Sequence, residues 1–158
     1  MSKILGNKLP ADLLERLAGK NLQAVAEKAI MVCSVDSNSW PHPAILSYFE
    51  VIAKDESNVR LAIYKDSATV ANLLRNGKLT MQIVDQRIAY YVKGSVRELA
   101  HGMKSSPPNA KLNLRVEQVL ADTADEEFEP GAYVTGGVTY TRPAKPANAW
   151  EVLKELLA

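Results

Sequence analysis

A single cysteine, Cys33, stands in 158 residues, which excludes an internal disulfide and any multi-cysteine metal cluster. Histidine is scarce too: His42 and His101 are the only two, and neither sits in a recognisable ligand set, so no metal site is expected. Excess charge is missing, since nineteen Lys and Arg against eighteen Asp and Glu leave a net charge of +1. That field is too weak to gather nucleic acid or an anionic membrane. No apolar run approaches the ~18 residues of a spanning helix, and Met1 to Lys8 lack the apolar core of a secretion signal. The chain has no G-x-S-x-G elbow and no G-x-G-x-x-G or G-x-x-x-x-G-K run, so the hydrolase and mononucleotide-loop readings lose the geometry they need. These absences point to a cytoplasmic protein with neither nucleic acid nor membrane as partner.

What is present suits one ordinary globular domain over residues 1–158: 47% apolar and 23% charged residues, enough to bury a core unaided. Around 10–18, Leu9, Leu13, Leu14 and Leu17 share a face, with Pro10 suited to a first turn and Gly19 to a stop, which predicts a short amphipathic helix. A second helical stretch through Leu22, Val25 and Ala26 leads into Ala29-Ile30-Met31-Val32-Cys33-Ser34-Val35, whose β-branched end reads as a buried strand. Beyond the turn signal Asp36 to Ser39, residues 43–53 read as one longer strand, and after Asp55 to Asn58 the alternation of 59–64 reads as another. Helical spacing then returns in Val70, Leu73 and Leu74, with Asp66 or Ser67 as cap and Asn76-Gly77 as stop. Strand patterns resume over 79–84 and 88–99, where Gly94 marks a bulge or bend, and over 112–119. An acidic loop over 122–129, a last strand over 133–140, a linker over 143–146 and an amphipathic helix over 147–157 complete the core of 29–140 and its flanks. The fold class is therefore mostly β with flanking α, a barrel of six to seven strands.

Three segments in that order carry a family resemblance. Val35-Asp36-Ser37-Asn38-Ser39-Trp40-Pro41-His42 is similar to a first hairpin turn of the form D-x-x-G-x-P. Ser67-Ala68-Thr69-Val70-Ala71-Asn72-Leu73-Leu74-Arg75-Asn76 is similar to a helix of the form S-R-K-x-x-N-L-x-x-N-P, and Tyr91-Val92-Lys93-Gly94-Ser95-Val96 to a V-x-G-x-A strand. Spanning residues 29–99, they make the chain resemble the pyridoxamine 5'-phosphate oxidase-like FMN-binding split-barrel superfamily. The resemblance implies a homodimer with FMN between subunits and its phosphate near the second strand and a helix start, where free N–H groups favour an anion. On that carry-over Ile45, Leu46 and Ser47 lie along the isoalloxazine, Tyr64 and Lys65 on its approach, and Ser67 and Thr69 offer hydroxyls. The implied function is an FMN-binding oxidoreductase that takes hydride from a nicotinamide donor and serves a small-molecule substrate.

The chain also departs from the pattern. Ala44, Ala68 and Thr69 stand where the family often carries Arg, Arg and Lys. Each such charge-assisted contact contributes roughly 1.5–3 kcal/mol. The tail offers Trp150 beside Asn148 and Glu151 instead of the Arg and His of a true pyridoxamine-phosphate oxidase, so that activity is not expected. The alternative function is a split-barrel dimer that has lost FMN and acts as a small-ligand-binding or interaction protein. A haem-handling or deazaflavin-dependent relative is a third reading, and for haem His42 or His101 would be the axial ligand. Cys33 among Met31, Val32 and Val35 reads as a packed thiol, and the adjacent Tyr90 and Tyr91 must face opposite sides of their sheet.

Overall fold

The structure, a computed structural model, describes residues 1–141 and 146–158. Eight strands are formed among the described residues: β1 (Ser2–Gly6), β2 (Ala29–Val35), β3 (Pro41–Ser47), β4 (Val51–Asp55), β5 (Asn58–Tyr64), β6 (Lys78–Asp85), β7 (Ile88–Ala100) and β8 (Asn109–Asp122). Three α-helices accompany them, α1 (Ala11–Arg16), α2 (Ala68–Asn76) and α3 (Ala149–Leu157), with a 3-10 turn at Leu22–Val25. All pairings are antiparallel, in the order β3-β2-β6-β7-β8-β5-β4, and β1 pairs with the C-terminal part of β8. The sheet curls into a split barrel whose ends, β3 and β4, are joined through the turn at Tyr48 to Glu50 and not by a ladder.

Alternation builds the interior. Ile30, Val32, Leu61, Met81, Ile83, Leu112 and Leu114 point inward and are fully buried, while α1 adds Leu13 and α3 adds Leu156. Helix α2 begins at the expected cap, where Ser67 Oγ accepts the N–H of Val70 at 3.2 Å, and ends at Gly77 in the left-handed region, φ 67°. Gly94 sits at a register shift between β7 and β8, and a Cβ there would fall 1.9 Å from the carbonyl oxygen of Arg115. Only glycine permits that approach.

Four expectations are corrected. The strand read over 43–53 is two strands, because Glu50 turns back: its carboxylate accepts both the N–H and the hydroxyl of Ser47 at 2.7 Å, and its own N–H reaches the Ser47 carbonyl. Such local bonds compete with a ladder. Residues 133–140 form no strand beyond one isolated bridge, Lys28 to Thr139. Their backbone groups go to separate partners: the Val134 carbonyl accepts the N–H of Arg87, the Val138 carbonyl accepts that of Ala29, and the Tyr140 N–H donates to the Glu27 carbonyl, while Gly137 lies so close to Val84 that a Cβ would meet its oxygen at 1.9 Å. β1, fully exposed and without alternation, carries no strand signal in its sequence, and with it the described residues form eight strands where six to seven are expected. The terminal helices are shorter than 10–18 and 147–157, and of the linker expected over 143–146 residues 143–145 lie outside the described residues.

One end of the barrel is tied by charge. Asp85, at the end of β6, receives Arg16 of α1 at 2.5 Å and Lys28 from before β2, while Arg16 Nε donates to the Tyr48 hydroxyl at 2.8 Å. Burial opposes ionisation of Asp85, but the bonds from Lys28, from the N–H of Gln86 and from Arg16 outweigh it and hold the carboxyl at about 2. These charges are consumed by one another, so the cluster is structural.

Candidate functional site

The residues expected to meet a flavin divide into two groups. Edge strand β3 exposes Ile45, which is 56% accessible, whereas Leu46 and Ser47 turn into the interior. At the far end of β5, Tyr64 is exposed and Lys65 half-buried; Ser67 caps α2, and Thr69 is buried in its first turn. The N–H groups of Ala68 and Thr69 have no acceptor among the described residues, as the start of any helix dictates, so this nine-residue helix offers free donors beside Tyr64 and Lys65. Ala44 is half-buried and brings no charge. Four surface clefts are lined by other residues.

The outward face of the sheet is the larger feature. Register places Ile45, Met31, Gln82, Tyr91, Leu120 and Ile4 in one row across β3, β2, β6, β7, β8 and β1. Ile45 and the 66% accessible Ile4 leave both ends of this largely apolar row bare. The next row, Cys33, Thr80, Lys93 and Gln118, floors a 380 Å³ cleft. Cys33 is thus half-buried in a cleft and not packed in the core: Val32 and Ser34 take the inward positions of β2, and Cys33 alternates with them.

Tyr90 and Tyr91 do separate to opposite faces. Tyr90 packs on the core edge and donates its hydroxyl to Asp12 at 2.7 Å; burial and that carboxylate push it up to about 12. Tyr91 lies on the outer face and donates to Asp122 at 3.0 Å, and burial with Asp122 again raises it. Both phenols stay protonated near neutrality and serve as donors, not acids. His42 sits half-buried within β3 instead of in the preceding turn, and His101 Nδ1 lies 3.1 Å from Glu98 Oε1. Among the described residues no group of three or more His, Cys, Asp or Glu converges on a metal position, and no helix is long and apolar enough to cross a membrane.

Residues 49–130 match the family described as protein of unknown function (DUF447), N-terminal domain. The chain belongs to that family. The Bacillus subtilis protein YclD, itself described as uncharacterized, is 31% identical to this DUF447 domain over 112 residues, 71% of this chain and 73% of that protein. Among solved structures, a candidate pyridoxamine 5'-phosphate oxidase from Lactobacillus delbrueckii is similar with a TM-score of 0.59 at 18% identity, over 75% of this chain and 98% of that one. HupZ of Group A Streptococcus follows at 0.54 and 19%, covering 68% and 91% of the two chains. An FMN-binding protein from Syntrophomonas wolfei stands at 0.54 and 17%, covering 71% and 88%. At these identities the likeness is one of fold, and the fold is the pyridoxamine-phosphate-oxidase-like split barrel.

Proposed function

We propose that the protein is an FMN-binding flavoprotein working as a homodimer in the cytoplasm, an oxidoreductase that accepts hydride from a nicotinamide donor and reduces a small substrate. The observation that carries this reading is the start of α2, where unpaired N–H groups of Ala68 and Thr69 stand beside the exposed Tyr64 ring and Lys65. A phosphate suits those N–H groups, and Tyr64 and Ile45 supply apolar faces for a ring system. Bound FMN would supply two-electron chemistry, while the chain's own residues bind and orient it and exclude water. Ser47 and Ser67 act through the backbone they brace: Ser47 is spent on Glu50, and Ser67 on the helix cap. The apolar outer row from Ile45 to Ile4 is the surface a second copy would cover, since such a stripe costs free energy in water.

The second reading is a split-barrel dimer without FMN that binds another small ligand, or a partner protein. Ala44, Ala68 and Thr69 favour it, because none of them brings a cation to the phosphate. The absorption spectrum of purified protein after incubation with FMN and gel filtration separates the two. Retained flavin near one per chain supports the flavoprotein. A folded dimer that emerges colourless gives the second reading the lead.

A further inference from the structure

The C-terminal helix is tied to the start of α2 through one loop. Between β7 and β8 the chain runs over 101–108, and Asn109, the first residue of β8, stands opposite Tyr64, the last of β5. At that corner the Pro108 carbonyl accepts the N–H of Lys65 at 2.9 Å, and the Tyr64 carbonyl accepts that of Ser67 at 3.0 Å. The turn over 64–67 carries the exposed Tyr64 ring and Lys65 and leads into the free N–H groups of Ala68 and Thr69. It therefore rests on the backbone of the loop.

The loop holds Pro108 in place with few bonds of its own. Pro107 and Pro108 have no N–H to give; Met103, buried in the core, donates its N–H to the Asn109 carbonyl, and Asn109 donates to that of Ser106, both at 2.9 Å. The next two N–H groups go to α3. Glu155 Oε1 accepts the N–H of Lys104 at 2.8 Å, and Oε2 accepts both the N–H of Ser105 at 2.7 Å and its hydroxyl at 2.6 Å. At the other end of the helix, Asn148 Nδ2 donates to the Ser105 carbonyl at 2.6 Å. Burial opposes ionisation of Glu155, but the bonds from Ser105 and Lys104 outweigh it and hold the carboxyl below its ordinary value. Helix α3 is itself anchored by Ala149, Val152, Leu153 and Leu156, all buried, on the side of β4 and β5. It is thus a fixed post from which one carboxylate grips the loop.

A site is only as exact as the groups that brace it, and three bonds to an ionised carboxylate make a strong brace. We propose that Glu155 is a positioning residue for the phosphate end of the flavin site: through Ser105 and the backbone over 104–108 it sets where Pro108 holds Lys65, and so how the α2 N–H groups meet a phosphate. This inference rests on the flavoprotein reading above. Glu155 acts at a distance from the ring end, since Ile45 on β3 belongs to the opposite edge of the sheet. Its effect should therefore fall on the phosphate alone.

The test compares wild type, E155Q and E151Q by amide hydrogen exchange of the flavin-free protein and by fluorescence titration with FMN and with riboflavin, which has the same ring and no phosphate. E155Q keeps the length of the side chain but turns an amide NH2 towards donors, so it breaks the grip. Glu151, exposed on the same helix, gives the same change of charge away from the loop. In E155Q the Lys65 amide should exchange roughly tenfold faster and FMN bind roughly tenfold more weakly, with riboflavin affinity and the exchange of Val32 and Met81 within about twofold of wild type. E151Q should match wild type. If E155Q does not fold, S105A removes two donors' worth of grip less severely, losing only the hydroxyl, and should show the same pattern at a smaller size. Unchanged Lys65 exchange in the folded variant overturns the link from α3 to the turn. Equal weakening of FMN and riboflavin, or an equal effect of E151Q, overturns the positioning role. A wild-type protein that binds neither flavin refutes the flavoprotein reading instead, and Lys65 exchange then decides by itself whether Glu155 sets the turn.

Discussion

Replacing Asp85 by Asn leaves Arg16 and Lys28 facing a neutral amide in a pocket where the carboxylate was 10% exposed and the guanidinium 17%. The folded protein holds this carboxyl at about 2 against an ordinary 3.8, a difference equivalent to about 2 kcal/mol of stability at neutral pH. Because the folded value lies below the unfolded one, that stabilisation is complete above the unfolded value and fades as the pH falls from 3.8 towards 2. Urea unfolding of wild type and D85N at a series of pH values reads it out. At pH 7 the variant should be less stable by about 2 kcal/mol, or somewhat more because two partly buried cations lose their counter-charge. By about pH 2.5 the part of the gap owed to Asp85 should have shrunk to less than half. Other depressed carboxyls, such as Asp55 and Asp122, weaken both proteins alike, so the difference isolates Asp85. A gap that does not change with pH, or no gap at pH 7, would refute the argument that the Arg16–Asp85–Lys28 cluster is a net stabiliser.

Gly94→Ala forces a methyl carbon to within 1.9 Å of a backbone oxygen that cannot step aside. The cost should be at least 1–3 kcal/mol, roughly, visible as a fall of several degrees in the thermal midpoint; an unchanged midpoint would mean that the bulge relaxes freely. Ile45→Glu puts a charge at the end of the exposed apolar row. If that row is the homodimer contact, sedimentation should show a shift towards monomer with little loss of monomer stability, and an undiminished dimer would locate the contact elsewhere.

The chain by itself determined the local pieces, because their causes are local. The β-branched run ending at Val35, the Ser67 cap with its Gly77 stop, and the glycine in the long strand at Gly94 are each explained by propensities, bonds or sterics within a few residues, or by a close approach only glycine survives. The order of those pieces was enough for the resemblance to a split barrel. Only the tertiary structure decided what depends on residues far apart in sequence. β1 exists because β8 is long enough to offer it an edge, not through any pattern of its own. Residues 133–140 have strand composition, yet their backbone bonds go to the approaches of β2 and β7 and build no ladder. The Asp85 cluster draws on Arg16, Lys28 and Tyr48, and the outer apolar row on Ile45, Met31, Tyr91, Leu120 and Ile4; none of these stands out in its own stretch of chain. Their chemistry arises from strand register, which aligns side chains from separate strands, and register is set by burial of the whole inner face.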